Sequence, residues 1–167
     1  MGKPTHSRQA SSSSLKLDVS VIFDELRPDR LALRSLQAPE QVIFDPLENC
    51  WAVSTAAFKG QTDGGISVDL EEALERDGLP LTHGYPRVAR AVGLVGHLVG
   101  RLTEAGFKTS HVPVDGNSYH GEAKGRPSRS ERRALAADCR IVVKLDGSAA
   151  QRYADEKLAK AAIGQRS

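Results

Sequence analysis

The chain has 167 residues, a net charge of +2 and 40% hydrophobic side chains. That length suits one domain plus a tail, large enough to bury a stable core without staples, and so small a net charge excludes a surface that holds nucleic acid over its whole extent. No apolar run approaches the about 20 residues that cross a bilayer, and the basic N-terminus lacks the apolar stretch of a secretory signal, so a cytoplasmic protein without membrane association is expected.

Residues 1–14, with Gly2, Pro4, His6 and the serines from Ser11 to Ser14, cannot bury anything and read as a disordered tail. From Leu15 to Val21 apolar and polar residues alternate, the period of a half-buried strand. Pro28 suits the first turn of a short helix through Leu36, ended before Pro39. Val42 to Phe44 and Cys50 to Val53 read as a hairpin around the turn-forming Asp45-Pro46-Leu47-Glu48-Asn49. Gly60 to Gly65 is a loop, and Ile66-Ser67-Val68 is brief and extended. Asp69 with Glu72 reads as a capping box for a helix from Leu70 to Arg76, closed by Gly78.

Between Arg87 and Ala105, Val88, Val92, Val95, Val99 and Leu102 keep helical spacing. Gly93, Gly96 and Gly100 oppose one long helix, each costing about 1 kcal/mol relative to alanine. A strand or turn near Gly93 to Val95, then a helix from about Gly96 to Ala105, fits as well. Phe107 to Val114 reads as a strand, residues 115–128 as a polar loop, Ser130 to Cys139 as a helix with Ala134, Leu135 and Ala137 inward, Ile141 to Leu145 as a strand, and Ala149 to Ile163 as a closing helix. The sum is a single α+β domain over residues 15–163, with about five strands in a mixed sheet and about four helices, followed by a short tail at 164–167. Trp51, Val53, Phe58, Leu98, Leu135, Ile141 and Val143 form its expected core. Cys50 and Cys139, flanked by apolar residues, read as buried thiols rather than a disulfide or zinc pattern.

The densest set of reactive side chains runs from Asn117 to Gly125 and continues into a basic stretch ending at Arg133. Ser128 and Glu131 form a capping box, and a helix start flanked by Lys124, Arg126, Arg129, Arg132 and Arg133 suits an anion. Asn117, Tyr119, His120, Lys124, Arg126, Arg129 and Arg133 are therefore the candidate phosphate- or partner-binding residues. The partner would be a nucleic acid, a phosphorylated ligand or an acidic protein, the last including the acidic 69–77 segment of a second copy. A solvated helix face is the plainer alternative. If the protein is an enzyme, His111 and His120 could flank a phosphodiester as general base and acid, with Lys124 stabilising developing charge. If the two imidazoles share a cleft with Lys124 or Arg126, this reading gains; if either is buried against the core, binding gains.

Other chemistries lack their residues. His120-x-Glu122 has no Pro-Cys-x-x-Cys to complete a deaminase zinc site, and no His-Glu-x-x-His, P-loop, dinucleotide fingerprint or Gly-x-Ser-x-Gly elbow is present. No metal or cofactor is expected.

Ser54-Thr55-Ala56-Ala57-Phe58-Lys59, Ile66-Ser67-Val68-Asp69-Leu70, the glycines of the 90s, and Val112-Pro113 with Asn117-Ser118-Tyr119-His120 and Gly125 together resemble a family of small uncharacterised bacterial proteins. Those carry Ser-x-Ala-Phe, Leu-Ser-Val and Asn-Pro-x-His-Ala…Gly segments. The resemblance spans roughly residues 50–143, with Ser118 in place of the proline and Gly121 in place of the alanine. It implies that Phe58 and His120 belong to one domain type and that the tails are additions. It implies no activity. A subunit that works only inside a larger complex is also compatible with the tails.

Overall fold

The structure, a computed structural model, describes residues 22–60 and 64–164. The expected tail at 1–14, the strand at 15–21 and residues 165–167 lie outside them.

The stretch from Leu31 to Gln37 forms strand β1 (Leu31–Gln37), not the helix expected after Pro28. Leu31, Ala32, Leu33 and Leu36 are all buried. Successive side chains point to opposite faces of the sheet, so burial of three residues in a row means that both faces are covered there, which erases the alternation that marks a half-buried strand. Next comes the hairpin of β2 (Val42–Asp45) and β3 (Cys50–Val53), paired Val42 to Val53 through Asp45 to Cys50. The Asp45 side chain holds its turn by accepting from the Leu47 and Glu48 amides at 2.9 and 3.3 Å.

Strands β4 (Gly65–Leu70), β5 (Ala91–Leu98), β6 (Phe107–His111), β7 (His120–Gly125) and β8 (Arg140–Val143) join β1 in a six-stranded sheet of order β6-β7-β4-β1-β5-β8. Every pairing in it is antiparallel. The described residues thus hold a single α+β domain with eight strands, mostly in one antiparallel sheet, where about five in a mixed sheet were expected. Helices α1 (Glu71–Arg76), α2 (Val99–Glu104), α3 (Arg129–Asp138) and α4 (Gly147–Gly164) complete it.

Small residues that serve close packing decide one open reading, in favour of a strand followed by a helix, and overturn one expectation. The glycine-rich 90s divide into β5 and α2. A Cβ on Gly93 would strike the Leu145 side chain, and one on Gly96 would press on Leu33 and Leu31. The expected loop at 115–128 contains β7, where Gly121 and Ala123 are buried and a Cβ on Gly121 would meet Leu70 and the Ser110 carbonyl at 2.9 Å. Asp69 does not cap α1. Its N-cap is Leu70, without a side-chain cap, and the Glu71 and Glu72 carboxylates accept instead from the Leu31 and Arg27 amides at 2.7 and 3.2 Å. Gly78, at φ +66°, ends the helix as expected.

Phe58 and Leu135 are fully buried, and Trp51, Val53 and Val143 pack on the core from partly buried positions. Leu98 and Ile141 are 47% and 49% exposed, contrary to expectation. Ile141 sits on β8, an edge strand, and Leu98 is the last residue of β5. Ala134 and Ala137 also face outward, leaving Leu135 as the buried residue of α3. Cys50 is exposed, at the end of the isolated hairpin, and Cys139 is half-buried.

Candidate functional site

Asp69 near the end of β4 stands directly opposite His120 at the start of β7. The Leu70 amide donates to the Tyr119 carbonyl at 2.9 Å. Just upstream, Val114 and Asn117 exchange backbone hydrogen bonds at 3.1 and 2.8 Å around Asp115-Gly116, with Gly116 at φ +75°. That tight turn brings the Asn117 side chain beside the Asp69 carboxylate, whose charged form it favours.

These groups border a cleft of about 280 Å³ whose other wall is β1, through Arg34 and Ser35. Arg34 donates from Nη1 to the Ser67 carbonyl at 2.9 Å. Its Nε is buried without a partner, as are the Ser35 hydroxyl and the Asn117 Oδ1. Burial pushes the Arg34 guanidinium down to about 10, which leaves it charged at neutral pH. Among the described residues it makes no ion pair.

Burial raises the Asp69 carboxyl, opposed by the Asn117 side chain and by His120, Arg87 and His83. The Gly84 backbone closes on this carboxylate so tightly that a Cβ there would collide with it and with the Tyr119 ring. Arg87 donates to the Gly116 carbonyl at 3.0 Å and lies 3.2 Å from His83 Nε2.

The other predicted site residues fall elsewhere. His111 is buried, its Nδ1 accepting from the Phe23 amide at 3.2 Å, so its proton is on Nε2, which donates to the Ser118 carbonyl at 2.7 Å. Both ring nitrogens are thereby occupied. Tyr119 is buried, its ring edge-on to His83 at 5.5 Å and its hydroxyl unpartnered. Lys124 pairs with Glu122 on its own strand at 2.9 Å. The structure therefore does not gather His111, His120 and Lys124 in one cleft.

Arg126, Arg129 and Arg133 surround the start of α3, where the Ser128 hydroxyl accepts from the Glu131 amide at 3.1 Å. Arg129, Ser130 and Arg133 line a hollow with Thr55. Thr55 and Arg133 also line a second, mainly apolar groove of about 530 Å³, walled by Ile43, Phe44, Val53 and Ala136. Arg126 lines a third hollow with Lys59 and Arg132. Among the described residues, Arg126, Arg129 and Arg133 make no ion pair, whereas nearby Arg101 pairs with Asp138 at 3.1 Å and Glu131 at 3.6 Å.

Sequence reasoning missed Arg34 and Asp69. A lone arginine inside the apolar run from Leu31 to Leu36 was the available signal for the first. Asp69 was absorbed into a capping pattern that the chain does not use. Among the described residues no group of three His, Cys, Asp or Glu side chains could hold a metal ion, and no helix is long and apolar enough to cross a membrane. No protein-family model, curated protein or solved structure matches this chain.

Proposed function

We propose that the protein is a non-enzymatic binding domain whose basic corner, formed by Arg126, Arg129 and Arg133 at the start of α3, engages an acidic or phosphate-bearing partner. The observation that carries this reading is that Arg133 and Thr55 belong to both the basic hollow and the apolar groove beside it. Unpaired guanidinium groups at a helix N-terminus suit carboxylates and phosphates. An adjoining groove lined by the half-exposed Phe44 and Ile43 suits an apolar side chain. An acidic protein segment with one apolar anchor offers both.

The test is a titration of the full chain with two fluorescent acidic peptides, identical except that one carries a phenylalanine. The anchored peptide should bind at least about tenfold more tightly, the worth of one buried aromatic side chain, and Phe44→Ser should remove that advantage. Equal affinity for the two peptides contradicts the protein-segment form of the proposal.

A second reading, processing of a phosphodiester or nucleotide, is favoured by His120 facing Asp69, because a carboxylate beside an imidazole can orient it for proton transfer. His120→Ala separates the two. It should cut turnover by about a hundredfold or more in an enzyme and leave peptide affinity at the α3 corner unchanged in the binding domain.

A further inference from the structure

We propose that the cleft between β1, β4 and the Asn117–His120 turn is a separate binding site for a small anion that also carries hydroxyl or amino donors, the chemistry shared by sugar phosphates and small hydroxy or amino acids.

The anionic half of this assignment follows from Arg34. A guanidinium has five N–H donors in a rigid fork. Here one nitrogen reaches the Ser67 carbonyl and the Nε is sealed from water with nothing to donate to. A guanidinium partly withdrawn from water without a counter-charge is costly unless something supplies one. Asp69, the carboxylate bordering the same cleft, does not supply it: it makes no ion pair with Arg34. An incoming carboxylate or phosphate would meet the fork directly.

The donor-bearing half follows from the acceptors. The Asn117 Oδ1 is buried without a partner, and the Ser35 hydroxyl likewise. Both residues border the cleft with Arg34. Buried polar atoms in folded proteins are nearly always satisfied. Hydroxyl or amino groups on the ligand would satisfy these two, and Asp69 and His120 offer further polar contacts at the same wall. A volume of about 280 Å³ lies at the small end of ligand pockets, which restricts the occupant to a few carbons. None of Arg126, Arg129 or Arg133 lines this cleft, so the assignment stands or falls independently of the basic corner.

The test is an amide-resolved NMR titration of the full chain with glycerol 3-phosphate, inorganic phosphate and glycerol. Glycerol 3-phosphate should give saturable shifts at Ser67, Val68, Asn117 and His120, inorganic phosphate should bind there at least about tenfold more weakly, and glycerol should not bind. Arg34→Gln should weaken glycerol 3-phosphate at least about tenfold, whereas Arg126→Glu with Arg129→Glu should leave its affinity unchanged. Asn117→Asp, on a surface turn, sets a second carboxylate beside Asp69 and should weaken it likewise; it decides the matter if Arg34→Gln fails to fold. Shifts confined to the start of α3, no saturable shift with either anion, equal affinity for the two anions, or wild-type affinity in the folded variant would each overturn the proposal.

Discussion

At Asp69, burial and its neighbours pull in opposite directions. Burial raises its carboxyl above the ordinary 3.8, and the Asn117 side chain together with His120, Arg87 and His83 only partly restores it. A carboxyl with a raised folded pKa holds its proton better in the native state. Its contribution to stability is therefore full below the unfolded pKa and is lost as pH rises through the folded one. At neutral pH the charged Asp69 is a net cost, and such a cost persists where a site needs the charge. Asp69→Asn, which keeps an acceptor for Asn117, should raise the melting temperature at pH 7, with the gain shrinking as pH is lowered towards about 4. Thermal melts at the two pH values check this; a variant less stable at pH 7 but unchanged near pH 4 would contradict it. Phe58, 1% exposed with its ring edge-on to His97 at 5.2 Å, is a residue of the opposite kind. Phe58→Ala should cost about 3–5 kcal/mol in denaturant unfolding through lost burial and a residual cavity; a loss below about 1 kcal/mol would mean that the side chain is not in the core.

Strand β7 shows how a polar sequence becomes an interior element. In His120-Gly121-Glu122-Ala123-Lys124-Gly125 the residues facing the core are glycine and alanine, so no hydrophobic period advertises a strand. The smallness is required by the sheet: Gly121 lies against Leu70 and the Ser110 carbonyl. Gly121→Val should therefore destabilise the fold by about 1–3 kcal/mol through overpacking, measurable by urea unfolding, and a neutral change would refute the close approach. The same blindness explains β1, whose two buried faces hide its period, and Asp69, whose spacing to Glu72 imitates a capping box. What was legible had a local cause. The β2–β3 hairpin has a turn that Asp45 caps, Gly78 ends its helix with φ of +66°, and Ser128 caps α3. The cleft was half legible, because Asn117 and His120 lie three residues apart in one polar stretch, but Arg34 and Asp69 reach it only through the pairing of β1, β4 and β7. That pairing is non-local and leaves no mark within a window of neighbouring residues.

For the whole molecule, charge is placed rather than accumulated. A net charge of +2 gives little long-range attraction, so anion binding must come from cations left without internal partners. Arg30, Arg101 and Lys157 are held by Glu75, by Asp138 and Glu131, and by Glu40. Arg126, Arg129 and Arg133 make no ion pair among the described residues; Arg129 and Arg133 share one hollow at the start of α3 and Arg126 lines another just before it. The measurement that tests this most directly is the salt dependence of binding to a fluorescent single-stranded oligonucleotide, used as a polyanion of known counterion behaviour. Each phosphate contact contributes a log–log slope of about −0.7, so three arginines predict a slope of about −2. Arg126→Glu with Arg129→Glu should abolish the binding at unchanged melting temperature, since exposed charges contribute little to stability. Binding that is independent of salt, or that survives the double reversal, would contradict the account and leave the basic corner as a solvated helix face.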